Sequence, residues 1–84
     1  MHESSLVADL LEKIDVIARQ NAAQTVNAIE ISVGALAGIG LDHLREHFNA
    51  AARGTAAEGA ELRLKLSDDP MSTGLLLETV ELER

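Results

Sequence analysis

The chain opens with three residues, Met1-His2-Glu3, whose types and order suit the binding of a metal ion. The α-amine of Met1, the peptide nitrogen of His2 and the His2 imidazole can bind one ion together through fused chelate rings. This donor set suits an ion that prefers square-planar geometry, Ni(II) or Cu(II), and imidazole is a good ligand for both. We expect Met1 to be retained, because His2 is too large for the usual removal of an initiator methionine. The competing interpretation is an early histidine that binds nothing, since a short motif is only a hypothesis.

Two further histidines, His43 and His47, lie four residues apart in a predicted helix. This spacing places both side chains on one face of the helix, which is necessary if two residues of one helix are to bind the same ion. A zincin site is excluded, because Leu44 follows the first histidine where H-E-x-x-H requires glutamate. An exposed pair without a metal is the favoured interpretation, and metal binding by the pair stays open as the alternative.

The glycine-rich segment Gly34-Ala35-Leu36-Ala37-Gly38-Ile39-Gly40 raises the question of phosphate binding. It lacks the Gly-Lys-Ser/Thr ending of a P-loop and the G-x-G-x-x-G spacing of a dinucleotide site. Its glycines are instead predicted to supply positive φ and close packing where a strand turns into a helix. With no cysteine nucleophile and no recognisable base partner for its serines, the chain is predicted not to be an enzyme.

Length and charge limit the classes of protein to which the chain can belong. Its 84 residues make one small domain, a size that buries only roughly 60% of the unfolded surface. No cysteine is present, so disulfides and thiolate zinc sites are excluded. Seven Lys and Arg against 14 Asp and Glu give a net charge of −7, which argues against nucleic acid and anionic membranes as partners. Without a long apolar run or a signal-peptide start, the predicted location is the cytoplasm.

Apolar residues at three- and four-residue steps predict two amphipathic helices. The first covers about residues 4–21 and is capped by Ser4 or Ser5, so that Glu3 lies just outside it. The second covers about residues 41–53 and ends at Gly54. The predicted apolar stripes are Leu6, Leu10, Ile14 and Ile17, widened by Val7, Leu11 and Ala18, and Leu41, Leu44, Phe48 and Ala51.

Alternating apolar and polar residues predict two strands, at 26–33 and 60–66. A third strand at 75–82 has apolar residues on both faces at first, which suits a central or well-covered position. The short polar connection 67–74 makes a hairpin between the last two strands plausible. The predicted fold class is therefore α+β, in the order α-β-α-β-β, with a small three-stranded mixed sheet and two amphipathic helices on one face.

Several short motifs keep the order and spacing of one known family. They are Met1-His2-Glu3-x-Ser5-Leu6, Val33-Gly34-Ala35-Leu36-Ala37-Gly38, Phe48 and Gly54-Thr55-x-Ala57-Glu58-Gly59-Ala60-x-Leu62. Together they resemble the HypA/HybF family, nickel metallochaperones for maturation of [NiFe]-hydrogenase and, in some organisms, urease. The resemblance runs over residues 1–66, and residues 75–83 look like the last strand of the family.

This resemblance implies a nickel site at Met1, His2 and Glu3. Met1 would contribute its amine, His2 its imidazole and peptide nitrogen, and Glu3 its peptide nitrogen or nearby carboxylate. Ni(II) would be bound transiently, and binding would release protons and weaken at low pH. The implied function is that of a nickel-binding accessory protein. Its implied partners are hydrogenase or urease maturation proteins or a nickel enzyme subunit.

The chain departs from the family in one large respect. The family carries a zinc domain with two Cys-x-x-Cys pairs between its second and third strands, whereas this chain has only residues 67–74 there and no cysteine. We therefore expect a single HypA-like domain over residues 1–84, with a short turn in place of the zinc domain and no bound zinc. The alternative is a structural or interaction module that has lost metal delivery and binds a hydrogenase-related partner or forms homo-oligomers.

Overall fold

The computed structural model describes residues 3–83, which form two α-helices and three β-strands in the order α-β-α-β-β. The elements are α1 (Glu3–Gln20), β1 (Thr25–Val33), a short 3-10 turn (Ala35–Ala37), α2 (Leu41–Ala51), β2 (Glu61–Leu66) and β3 (Leu75–Glu83). The three strands form one mixed sheet. This architecture confirms the predicted α+β class and element order.

The central strand of the sheet is β1, because the strands are ordered β2-β1-β3. β2 pairs with β1 in parallel and β3 pairs with β1 antiparallel. The predicted hairpin between the last two strands is therefore wrong. β2 and β3 do run in opposite directions, as in a hairpin, but they lie on opposite sides of β1. Length and polarity of a connection do not distinguish these two arrangements.

The connection from residue 67 to residue 74 passes the end of β1 instead of closing a hairpin. Backbone hydrogen bonds hold it there: Ser67 donates to Val33 at 2.8 Å, and Gly34 donates to Gly74 at 2.8 Å. A Cβ on Gly34 would lie 2.5 Å from the carbonyl oxygen of Ser72, so only glycine allows this approach. The predicted close packing in the glycine-rich segment is thus confirmed, and so is positive φ, at 71° in Gly38.

β3 is an edge strand, so the prediction of a central position for it is wrong. The buried strand is β1, in which Ile29, Ile31 and Val33 are at most 1% exposed. Apolar residues alternate imperfectly along β3 because its register with β1 shifts between Leu77 and Thr79, which leaves Glu78 as the extra residue of a bulge. The bulge keeps the apolar residues on both sides of Glu78 packed against the core.

The core lies between one face of the sheet and the two helices. α1 contributes five buried residues, Val7, Leu10, Leu11, Ile14 and Ala18. From α2 the buried residues are Leu44 and Phe48, and Ala52 follows them in place of the predicted Ala51. Phe48 is among the largest fully buried side chains of the chain. The predicted stripe of α1 is confirmed at Leu10 and Ile14, whereas Leu6 and Ile17 are only partly buried and the residues predicted to widen it lie in the core. Both helices pack against the same face of the sheet.

The opposite face of the sheet is largely polar. Ser32 donates a hydrogen bond of 2.7 Å to Glu78 across the β1–β3 pair. Arg63 pairs with Glu61 at 2.6 Å and with Glu81 at 3.2 Å. The hydrogen bonds that Arg63 donates to Glu61 and then to Glu81, together with the negative charges of both carboxylates, raise the pKa of Arg63 above its usual value. The charged side chains on this face are therefore paired within β2, between Glu61 and Arg63, and across the sheet, between Arg63 and Glu81. Of the helices in residues 3–83, none is long and apolar enough to cross a membrane.

Candidate metal centre

The candidate metal centre lies at the N-terminal end of α1. Glu3 is the first residue that the structure describes, and it belongs to the first turn of α1, not to the segment before it as predicted. Ser4 and Ser5 lie inside α1, so the prediction that one of them caps the helix is wrong, and a carboxylate in the first turn is favoured by the helix dipole. Met1 and His2, the other two predicted ligands, lie outside the described residues. Consecutive Cα atoms are about 3.8 Å apart, so an ion bound by them must lie near this helix end.

Two histidines of α2 hold the carboxylate of Glu3. Nε2 of His43 lies 3.0 Å from Oε2 of Glu3, and Nδ1 of His47 lies 3.1 Å from the same oxygen. A carboxylate oxygen only accepts hydrogen bonds, so Nδ1 of His47 donates to it, whereas Nε2 of His43 is in close polar contact without hydrogen-bond geometry. In a neutral imidazole this leaves the lone pair of His47 on Nε2. The two histidines lie on one helix face, as predicted. This face contacts Glu3, the third residue of the predicted metal motif.

The three side chains differ in their exposure to solvent. The side chain of Glu3 is 19% exposed, that of His47 is 30% exposed and that of His43 is 72% exposed. The prediction of an exposed pair is therefore right for His43 and wrong for His47, which is half-buried. Glu3 and His47 are held by their surroundings, whereas His43 reaches Glu3 from the solvent side.

Helix packing explains why these side chains meet. Glu3 precedes the fully buried Val7 by four residues, so it continues the apolar stripe of α1 toward the N-terminus. On α2, each histidine directly precedes a buried anchor, Leu44 or Phe48, and so lies at the border of the buried face. The polar cluster is therefore the outer end of the α1–α2 interface. In the sequence, each of these three residues lies next to a core stripe, and this pattern could have predicted that their side chains contact one another.

One oxygen of Glu3 has no partner in this cluster. Oε1 is buried and accepts no hydrogen bond from residues 3–83. A buried carboxylate oxygen without a partner is costly, on the order of 1–3 kcal/mol or more for a charged group. An N–H donor, a water molecule or a cation at this point would remove that cost. The cluster thus has an unused acceptor beside the residues that carry the predicted chelate.

The cluster of Glu3, His43 and His47 is not a complete metal site. Within residues 3–83, no three His, Asp or Glu side chains are grouped so that they could hold a metal ion by themselves. Both histidines lie within 3.1 Å of one carboxylate oxygen, and His47 is hydrogen-bonded to it. Carboxylate and imidazole do suit Ni(II), however, and the Met1–His2 donors would be needed to complete the set.

Known proteins resemble this chain in sequence and in fold. The family model described as "HypA: Hydrogenase/urease nickel incorporation, metallochaperone, hypA" matches residues 1–72. The hydrogenase maturation factor HypA of Prosthecochloris aestuarii is 40% identical over 75 residues, which are 89% of this chain and 64% of that protein. That of Chlorobium limicola is 43% identical over 65 residues, 77% of this chain and 56% of that protein. This chain therefore spans less than two thirds of the length of these relatives.

The solution structure of the Ni metallochaperone HypA from Helicobacter pylori has the same fold. The TM-score is 0.85 at 14% identity, and the match covers 99% of this chain and 98% of that one. A second solution structure, of a HypA protein, matches with a TM-score of 0.76 at 15% identity, covering 98% and 96%. The family consists of metallochaperones and not of enzymes, as predicted. The match over residues 1–72 shows that the chain belongs to the HypA family of nickel-incorporation metallochaperones.

Proposed function

We propose that this chain is a nickel-binding accessory protein of the cytoplasm. It holds Ni(II) transiently at Met1, His2 and Glu3 and passes the ion on during maturation of a nickel enzyme such as [NiFe]-hydrogenase. The observation that supports this most is the carboxylate of Glu3, which accepts a hydrogen bond of 3.1 Å from His47 and lies 3.0 Å from Nε2 of His43 beside the proposed chelate. Its partners are then hydrogenase or urease maturation proteins or a subunit of the nickel enzyme.

Each residue of the motif has a distinct role in this proposal. The Met1 amine, the His2 peptide nitrogen and the His2 imidazole supply three nitrogen donors. Glu3 fixes the geometry and places negative charge near the dication. Its orientation is set by neighbours before any ion arrives, which is the usual effect of groups that hydrogen-bond to a metal site. The first turn of α1 thereby provides a rigid support next to the chelate that Met1 and His2 form.

Nickel titration calorimetry on the protein with an unblocked amine tests the proposed function. A His2→Ala variant should lose nickel binding, because it removes the imidazole that closes the chelate. The matched control is Asp68→Asn, which changes an exposed carboxylate in the connection 67–74 and should bind like the original protein. Equal nickel affinity in the original protein and in His2→Ala would end the proposal.

A second candidate function is an interaction module without metal delivery. It is favoured by exposed apolar side chains, Leu36, Leu66, Met71 and Leu76, each more than half exposed. Within residues 3–83, the outer edges of β2 and β3 are also not hydrogen-bonded to a further strand. Purification from the native host distinguishes the two candidates. A stoichiometric partner without nickel supports the module, whereas bound nickel with transient association supports the nickel carrier.

A further inference from the structure

An apolar groove lies between α1 and the first residues of β3. Its volume is about 590 Å³, and its apolar lining includes Val16 and Ile17 of α1 and Leu75 and Leu77 of β3. Val16 is 36% exposed, and the two leucines are only partly buried where they pack against the core. The groove therefore leaves apolar surface of both elements accessible, in a volume that holds several side chains of a partner.

The groove borders the outer edge of β3. Within residues 3–83, β3 is hydrogen-bonded to β1 on one side and to no strand on the other. An edge strand presents unpaired N–H and C=O groups, to which an extended segment of another chain can add as a further strand. The nine residues Leu75–Glu83 thus offer main-chain pairing next to an apolar groove.

We propose that the groove and the outer edge of β3 bind an extended segment of a partner protein, in which apolar and basic residues alternate. The segment adds to the sheet beside β3. Successive side chains of a strand point to opposite faces. One set enters the groove against Val16 and Leu77, and the other lies on the polar face of the sheet beside Glu78 and Glu81.

The charges of this surface select a basic partner. β3 carries three glutamates and no lysine or arginine. Among the residues that line the groove, Asp9 and Glu12 outnumber the single cation Lys13. Opposite charges on neighbouring strands stabilise the pairing and like charges destabilise it. The net charge of −7 also attracts a positively charged segment from a distance.

The same charges argue against a second copy of this chain as the occupant. Pairing β3 with β3 of another molecule would bring the glutamates of both strands together without adding a lysine or arginine. Charged side chains and the bulge at Glu78 are also features that keep edge strands of like molecules apart. The surface begins at Asp9, about 9 Å along α1 from Glu3, so its occupation is measured without nickel.

The test is a nuclear magnetic resonance titration of the metal-free full chain with a capped peptide of alternating valine and lysine, as long as β3. Backbone signals of β3 and of the groove residues of α1 should shift, and the affinity should fall as salt is added. A peptide of alternating valine and glutamate should not bind. The valine-lysine peptide with methylated backbone nitrogens should not bind either, because it has no N–H groups to donate to β3.

Val16→Glu should lower the affinity for the valine-lysine peptide roughly tenfold or more, as the change of an apolar interface anchor does. The matched control is Ala50→Glu, which adds the same charge to an exposed position of α2 and should bind like the original protein. Circular dichroism checks that both variants fold.

Three results would overturn the inference. They are no binding of the valine-lysine peptide, equal binding of its methylated form, and equal affinity in Val16→Glu and the original protein. Dimers seen by sedimentation, with β3 signals that shift as the protein is concentrated, would make a second copy the occupant and refute a basic partner. Nickel binding is a separate readout, so its loss in His2→Ala leaves this inference standing, and failure of the peptide to bind leaves the nickel proposal standing.

Discussion

Glu3 joins the two helices at the candidate metal centre. Its backbone belongs to α1, and its side chain contacts the histidine face of α2, with a hydrogen bond from His47 and a contact of 3.0 Å from His43 to one carboxylate oxygen. The first three residues alone predict a chelate, but they do not predict that Glu3 is held from another helix. That contact depends on how α1 and α2 pack, which no local pattern specifies.

Glu3→Gln should weaken nickel binding without unfolding the chain. The amide keeps the size of the side chain, but it removes the negative charge and accepts a weaker hydrogen bond from His47. We expect nickel affinity to fall roughly ten- to a hundredfold, the usual effect of losing a group that orients a metal site. Calorimetric titration measures it, with Glu12→Gln on the exposed side of α1 as the matched control. Equal losses in the two variants would mean that Glu3 contributes only its charge at a distance.

At the scale of elements, the glycine-rich segment after β1 serves packing. Gly34 lies where β1 ends and the connection from β2 to β3 passes over it, and it is buried. Gly38 takes a positive φ, whereas Gly40 has an extended conformation before α2. Of these glycines, Gly34 is the one whose replacement would collide with backbone atoms.

Gly34→Ala should destabilise the protein by about 1–3 kcal/mol, the usual cost of overpacking a tight interior contact. The new Cβ would lie 2.5 Å from the carbonyl oxygen of Ser72, so the connection must shift. Gly40→Ala is the matched control, because nothing lies within 4 Å of its Cβ and its φ is −71°. It should be neutral or slightly stabilising. Urea unfolding of both variants gives the comparison, and equal stabilities would contradict this account of the connection.

The elements themselves are largely predictable from the sequence. Both apolar stripes and all three strands follow from residue periodicity, because burial on one face demands it. Strand pairing is not predictable in the same way. The connection 67–74 fits a hairpin and a passage over the end of β1 equally well, since β2 and β3 run in opposite directions in both. The bulge at Glu78 also gives β3 an apolar pattern that resembles that of a covered strand.

For the whole molecule, one apolar core joins all the helices and strands. Apolar side chains from both helices and all three strands form one cluster that includes Phe48. The sequence has no cysteine, and residues 3–83 contain no group of side chains arranged to hold a metal ion. We therefore predict that the domain folds by packing and that nickel is a cargo at one end of it.

The protein should keep its melting temperature when metal is removed by EDTA, and it should be isolated without zinc. Domains that need zinc to fold lose their structure when a chelator removes it. Thermal unfolding followed by circular dichroism, with and without EDTA, measures the first point. Elemental analysis of the purified protein measures the second. A lower melting temperature in EDTA, or one zinc ion per chain, would contradict a zinc-free fold.

The account depends most directly on the amine of Met1 as a nickel ligand. Nickel titration of the protein with an unblocked N-terminus, beside the same protein with the α-amine of Met1 acetylated, measures this alone. Acetylation converts the amine to an amide and supplies no new amine. We predict one nickel ion per chain for the unblocked protein and loss of that binding for the acetylated one. Equal binding by both, or no nickel bound by the unblocked protein at neutral pH, would contradict the account.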